Sequence, residues 1–137
     1  MKFFKISGQT INKDITKYLI KWNKKSRSKF QQGVKFTLYP YWKSHIAYEE
    51  FPVFGTKMTL DFVNLTMKIA VEVQGEQHQE YNPFFHNGNK MNFYDQIERD
   101  LQKKQWCELN KIKLIEIYPH DLPLTESFLK EHGIINS

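Results

Sequence analysis

Two β-strands joined by a short turn are predicted within residues 58–74, which read MTLDFVNLTMKIAVEVQ. Met58–Val63 and Lys68–Gln74 are rich in strand-forming residues, and the four residues between them suit a β-hairpin. We place the turn at residues 65–66. This choice fixes which residues of the two strands face each other.

Two acidic residues interrupt these otherwise apolar strands. With that turn, Asp61 faces Ala70, and Glu72 becomes its diagonal neighbour on the same face, about 7–8 Å away. Two carboxylates so close raise each other's pKa unless a cation joins them, and oxygen ligands suit Mg²⁺ or Mn²⁺. Gln74 lies on the same face, where its amide can orient water. The alternative is that both acids are solubilising residues on an exposed face.

Helices and further strands are predicted on both sides of the hairpin from apolar periodicity and turn residues. The predicted elements are a helix over Lys13–Lys24, strands over Val34–Tyr39 and Tyr48–Val53, a helix over Phe93–Asn110, a strand over Lys113–Tyr118 and a helix over Leu124–His132. A strand directly after a long helix fits a βαβ crossover. The expected fold class is α/β, with a mixed β-sheet flanked by helices.

Length and composition favour one domain in a reducing, cytoplasmic setting. The 137 residues fit a single domain, and 40% hydrophobic residues suffice for a packed core. The lone Cys107 excludes an intrachain disulfide framework and a multi-cysteine zinc site. Neither a membrane-spanning run nor a signal peptide is predicted, because charges interrupt every apolar stretch too early.

Charge divides the chain into a basic front and an acidic remainder. Residues 1–44 contain eleven Lys/Arg and one acid, a net charge of +10, whereas residues 45–137 contain nine Lys/Arg and fourteen acids, a net charge of −5. Together with 15% aromatic residues, this asymmetry favours a nucleic-acid partner for the front and a cation for part of the remainder. A solvated basic face without a partner is the alternative.

Further candidate residues lie outside the hairpin. His78 follows the second strand and can act as a general acid, a general base or a ligand. Asp100, on the long predicted helix, can approach the hairpin face or pair with a lysine along its own helix. Alternation along the extended segment sends Glu49 and Glu50 to opposite faces, so only one of them is expected to reach the site.

These residues carry a family resemblance that covers about Tyr48 to Tyr118. The chain resembles the PD-(D/E)XK nuclease superfamily, and most resembles the branch of very-short-patch repair endonucleases and phage-type homing endonucleases, also written EDxHD. The stretches that carry the resemblance are Tyr48–Val53, Leu60–Phe62, Ile69–His78, Glu98–Asp100 and Trp106–Ile115.

The resemblance implies a restriction-endonuclease-like core of order α-β-β-β-α-β and Mg²⁺-dependent cleavage of DNA to 5′-phosphate products. It implies catalytic roles for Asp61, Glu72, His78 and Asp100, for the residue at position 74, and for either Glu49 or Glu50. Residues 1–137 then form one nuclease domain, in which 1–47 contact DNA and 48–118 form the catalytic core. The resemblance implies Mg²⁺ or Mn²⁺ binding by Asp61 and Glu72.

Two departures from the family pattern are visible. Leu60 replaces a proline, which is common in the family, and Gln74 occupies the position of its lysine. Either His78 takes over the role of that lysine, or activity is weak or lost. A non-catalytic nucleic-acid-binding module and a structure-selective junction resolvase or RNA nuclease are therefore kept as alternatives. A phage origin is compatible with all three.

Basic and aromatic residues of the front are the predicted nucleic-acid contacts. Backbone phosphates are expected to bind Lys17, Lys21, Lys24, Lys25, Arg27 and Lys29. Trp42 beside Lys35 is expected to stack on exposed bases, with a core position for this aromatic as the alternative. One domain of this size nicks a strand, whereas a homodimer can cut both.

Overall fold

A four-stranded mixed sheet organises the computed structural model, which describes residues 1–75 and 90–136. Its strands are β3 (Ala47–Pro52), β4 (Thr59–Asn64), β5 (Ile69–Val73) and β6 (Lys113–Ile117), in that spatial order. The first three strands pair antiparallel, and β6 pairs parallel with β5. The predicted mixed sheet with flanking helices is therefore confirmed, as is the crossover between β5 and β6.

Three α-helices accompany the sheet within the described residues. They are α1 (Lys29–Trp42), α2 (Lys90–Leu109) and α3 (Glu126–Glu131). A separate hairpin at the start of the chain pairs β1 (Lys2–Phe4) with β2 (Thr10–Asn12), and single 3₁₀ turns occupy Thr16–Tyr18 and Pro119–Asp121. The Thr125 side chain accepts a hydrogen bond from the Phe128 N–H and caps α3, which lies within the helix predicted over Leu124–His132.

The start of the chain differs from the sequence prediction. The expected helix over Lys13–Lys24 and the expected strand over Val34–Tyr39 are both wrong, because the first helix is α1. Ser28 caps this helix by accepting a hydrogen bond from the Gln31 N–H. The buried residues Val34, Leu38 and Trp42 then recur every four positions and face the sheet, so packing outweighs the strand propensity of that segment.

Two apolar layers hold the helices against opposite faces of the sheet. One layer contains the aromatic cluster of Phe3, Phe51 and Trp106, which brings α2 and the N-terminal hairpin against the sheet. The other contains Trp42 of α1 and Leu129 of α3. The sheet is therefore covered on both faces, and only a few of its polar side chains are buried.

The register of the β4–β5 hairpin also differs from the prediction. Phe62 faces Val71 and Asn64 faces Ile69, so the loop spans residues 65–68 instead of turning at 65–66. Lys68 adopts a left-handed φ of 57° at the end of this loop. This shift of two positions brings Asp61 level with Glu72, where the predicted register made them diagonal neighbours.

Candidate active site

A pair of buried carboxylates lies on the central strands of the sheet. Asp61 on β4 and Glu72 on β5 are 5% and 4% exposed. Glu72 Oε1 accepts a hydrogen bond of 2.8 Å from the Asp61 N–H, and Asp61 Oδ2 accepts one of 2.8 Å from the Val73 N–H. Each carboxylate is therefore held by the backbone of the neighbouring strand.

Burial makes these two acids hard to ionise. The pKa of Glu72 rises from its ordinary 4.5 to about 7, first because of burial and second because of the negative charge of Asp61. The pKa of Asp61 is also raised, chiefly by burial, although the Val73 N–H opposes the shift. A cation bound between two such carboxylates offsets both the cost of burying their charge and their mutual repulsion. This pair of oxygen donors therefore fits a hard divalent ion.

Lysine and arginine side chains are the cations that contact the pair. Lys103 Nζ of α2 lies 3.0 Å from Glu72 Oε2 and is 18% exposed. Arg27, just before α1, lies 3.2 Å from Asp61 Oδ1. Lys103 was not among the predicted residues. Its position three residues before the buried Trp106, on the same side of α2, is the sequence signal that could have identified it.

Glu49 and Glu50 have different ionic partners but do not lie on opposite faces, so the prediction from alternation is wrong. Gln31 Nε2 donates a hydrogen bond of 2.9 Å to each of the two carboxylates, and Glu50 has a left-handed φ of 53° in place of an extended backbone. Glu50 shares Arg27 with Asp61, because Arg27 Nη1 lies 3.4 Å from Glu50 Oε2. Glu49 instead pairs with Lys35 at 2.7 Å and accepts a hydrogen bond of 2.6 Å from the Ser26 hydroxyl. The structure therefore brings Glu50 to the carboxylate pair and ties Glu49 to the segment that precedes α1.

Gln74 and a further acid extend the site along the sheet. Gln74 is 3% exposed, and its Nε2 donates to Glu116 Oε2 at 3.5 Å. Glu116 on β6 is the direct register partner of Glu72 and also accepts a hydrogen bond from the Tyr118 hydroxyl. Glu116 was not among the predicted residues, although a parallel β6 beside β5 would have placed a residue of this strand next to Glu72.

His78 and Asp100 are the two remaining predicted catalytic residues. His78 lies outside the described residues. Asp100 is half-buried on α2, close enough to Tyr118 to affect its hydroxyl. The pKa of the Tyr118 hydroxyl is raised, first by burial, then by Glu116, and to a smaller extent by the charge of Asp100.

A basic groove lies beside Arg27, the residue that contacts Asp61. It has a volume of about 240 Å³, and Glu49 and Glu50 are its acidic lining residues. Five of the predicted nucleic-acid contacts line it: Lys17, Lys21, Lys24, Lys25 and Arg27. A sixth, Lys29, is exposed at the first residue of α1. The groove therefore concentrates positive charge directly beside the buried acids.

Two predicted nucleic-acid contacts are instead structural. Lys35 is 1% exposed, pairs with Glu49, and donates a hydrogen bond of 2.7 Å to the Lys24 carbonyl. Trp42 is fully buried, and its Nε1 donates to the Ile134 carbonyl at 3.0 Å. The expectation that these side chains contact nucleic acid is wrong, because both are buried and already bonded within the chain.

Two absences hold for the part of the chain that the structure describes. Among residues 1–75 and 90–136, His, Cys, Asp and Glu side chains form no group of three or more that could hold a metal ion. Any metal centre built from these residues therefore rests on a carboxylate pair. No helix in the same residues is long and apolar enough to cross a membrane.

Similar sequences occur in viruses. The chain is 38% identical over 80 residues to "Uncharacterized protein 094L" of Frog virus 3 and 34% identical over 87 residues to "Uncharacterized protein 033L" of Invertebrate iridescent virus 3. These matches cover 58% and 64% of this chain, but only 51% and 44% of the relatives. The chain thus spans about half the length of these relatives. No family model and no solved structure matches it.

Proposed function

We propose that the chain is a divalent-metal-dependent DNA endonuclease with a restriction-endonuclease-like core. The observation that carries the proposal is the buried Asp61–Glu72 pair on adjacent strands, with raised pKa values and a basic groove beside it. The element order from α1 to β6 supports it, because this order is the α-β-β-β-α-β that the PD-(D/E)XK resemblance implies.

The residues of the site divide the work of phosphodiester hydrolysis. Asp61 and Glu72 hold a Mg²⁺ or Mn²⁺ ion, which neutralises phosphate charge and lowers the pKa of a bound water. Lys103 supplies the positive charge that Gln74 cannot, because its ammonium already lies 3.0 Å from Glu72. His78, as the resemblance implies, exchanges a proton with the attacking water or the leaving oxygen.

The basic groove is the proposed path of the DNA backbone. Its lysines neutralise phosphates regardless of sequence, so affinity must fall steeply as salt concentration rises. Because Glu50 and Arg27 line the groove and Arg27 contacts Asp61, a backbone bound there lies beside the carboxylate pair. One chain presents one such site, and therefore nicks one strand. A homodimer cuts both strands.

Cleavage of supercoiled plasmid tests the proposal. Parent protein with Mg²⁺ or Mn²⁺ is expected to nick the plasmid, and EDTA is expected to stop the reaction. Asp61→Asn must lose cleavage while DNA binding persists, and Asp95→Asn, at an exposed position on α2, is the matched control. If Asp61→Asn nicks as fast as the parent protein, the site is wrongly assigned.

A non-catalytic nucleic-acid-binding module is the second candidate. It is favoured by Gln74 at the lysine position and by the ion pairs that Arg27 and Lys103 already make with the acids. A panel of duplex, nicked, mismatched and branched DNA and of RNA separates the candidates. Binding without cleavage of any substrate supports the module, whereas cleavage restricted to junctions or to RNA indicates a structure-selective enzyme.

A further inference from the structure

Arg27 joins the basic groove to the acidic pair. Its two terminal nitrogens lie 3.4 Å from Glu50 Oε2 and 3.2 Å from Asp61 Oδ1, so one planar cation bridges both carboxylates. The Arg27 side chain is 65% exposed, whereas that of Asp61 is 7% exposed. An exposed cation is therefore bound to an acid that is otherwise enclosed.

The same side chain also belongs to the groove. Arg27 lines it together with Lys21, Lys25 and its own ion-pair partner Glu50. A guanidinium presents its donors in a planar fork that matches phosphate as well as carboxylate. A phosphate in the groove and the carboxylates of the site thus compete for one guanidinium.

We propose that Arg27 is a positioning residue that couples DNA binding to metal binding. Without DNA, its ion pairs with Asp61 and Glu50 oppose the binding of a divalent ion at the site. When a phosphate enters the groove, the guanidinium transfers to it, and the Asp61 oxygen becomes available. The inference rests on the proposed function, since it requires both a polyanion in the groove and a metal ion held by Asp61.

Thermodynamic linkage makes the coupling measurable. If DNA raises the affinity for the metal through Arg27, the metal raises the affinity for DNA by the same factor. Two partly exposed ion pairs of this kind set the expected factor at about three- to tenfold. A purely structural role for Arg27 changes folding stability but leaves this coupling unchanged.

The test measures Mn²⁺ binding from the free Mn²⁺ signal in electron paramagnetic resonance. Parent, Arg27→Gln and Lys25→Gln proteins are titrated with and without a duplex of about 20 base pairs whose phosphorothioate linkages resist hydrolysis. Lys25→Gln is the matched control, because Lys25 lines the same groove and makes no ion pair within the described part of the chain. Thermal unfolding checks that each variant folds.

Arg27→Gln is expected to bind Mn²⁺ about three- to tenfold more tightly than the parent protein when DNA is absent. DNA is expected to raise the affinity of the parent and Lys25→Gln proteins by a similar factor, and that of Arg27→Gln by much less. Arg27→Lys keeps the positive charge but loses the planar pair of donors. Its Mn²⁺ affinity and its response to DNA are therefore expected to lie between those of the parent and Arg27→Gln proteins.

Two outcomes overturn the inference, and they are distinguishable. If Arg27→Gln binds Mn²⁺ like the parent protein and shows the same response to DNA, Arg27 does not couple the two ligands, while the proposed nuclease function stands. If the parent protein binds no Mn²⁺ with or without DNA, the metal-dependent function fails together with the inference.

Discussion

Replacing the buried Glu72 by glutamine is expected to stabilise the metal-free protein at high pH. The folded pKa of about 7 lies above the ordinary 4.5, so the folded state holds a proton that the unfolded state releases between these two values. Stability therefore falls as the pH rises through this window, and the loss is complete above pH 7. Glu72→Gln removes the ionisation and keeps an oxygen acceptor for the Asp61 N–H.

The magnitude follows from the difference between the two pKa values. At about 1.4 kcal/mol for each pKa unit, the ionised carboxylate of Glu72 lowers the free energy of unfolding by about 3 kcal/mol at pH 8. At pH 4.5 the same effect is well under about 1 kcal/mol, because the folded state is then almost fully protonated. The advantage of Glu72→Gln over the parent protein is thus expected to grow by nearly 3 kcal/mol from pH 4.5 to pH 8.

Urea unfolding in EDTA at both pH values measures this difference. Glu108→Gln, which removes an exposed carboxylate from α2, is the control and is expected to stay within about 0.5 kcal/mol of the parent protein at either pH. If the gain in the free energy of unfolding of Glu72→Gln over the parent protein does not change with pH, the reasoning is refuted, because the fold then does not hold Glu72 in its neutral form.

Further predictions concern single positions. Lys103→Gln is expected to slow cleavage at least about tenfold and leave DNA affinity nearly unchanged, whereas the control Lys104→Gln is expected to retain activity. If single-turnover assays show the same loss of cleavage rate for both variants, the role of Lys103 is contradicted. Cys107 is expected to react with a thiol reagent only after denaturation, since burial raises its pKa to about 12; rapid modification of native protein argues against its buried position. Gly55→Ala is expected to destabilise the chain by about 1–2 kcal/mol, because Gly55 has a φ of 95° and an added Cβ would lie 3.1 Å from Lys5 Cβ. Gly33→Ala is expected to stabilise the chain by about 0.5–1 kcal/mol, because Gly33 lies on α1 with open space around it. Urea unfolding that finds Gly33→Ala less stable than Gly55→Ala would contradict both expectations.

The parts of the fold that were predictable from sequence are those whose signals are local. Alternating apolar residues in the β4–β5 hairpin and the apolar strand β6 after a long helix predicted both features. The helix predicted over Lys13–Lys24 failed for a non-local reason. Leu19 forms a bridge with Tyr48, and the Ile20 N–H bonds to the Ala47 carbonyl, so this segment lies along the edge of β3. Tertiary pairing outweighed its helical periodicity.

A usable signal for α1 was present but was outweighed by other residues. Ser28 and Gln31 have the spacing of a helix N-terminal cap, and Ser28 does cap α1. The strand-forming residues 34–39 and Pro40 argued against a helix, yet Pro40 is accommodated in the last turn of α1. In this region burial against the sheet determined the secondary structure.

The acids of the candidate site were easier to predict than their cations. Asp61 and Glu72 stand out because each interrupts an apolar strand, and that contrast is visible in the sequence itself. Lys103 and Arg27 are 31 and 34 residues away from the acids that they contact. The spacing of Lys103 from Trp106 is the one local signal for either cation, so their contacts with the acids follow mainly from the packing of α2 and of the segment before α1.

The separation of the two halves of the site has an evolutionary consequence. The acids are fixed in paired strands, whereas most of the groove is supplied by residues 19–28, which lie between the first 3₁₀ turn and α1 and contain no helix. Under the proposed function, exchanging that connection would change which polymer is accepted, and would leave intact the β4–β5 pairing that holds the acids. Related chains can in this way diverge in what they bind while inheriting one unchanged set of acids.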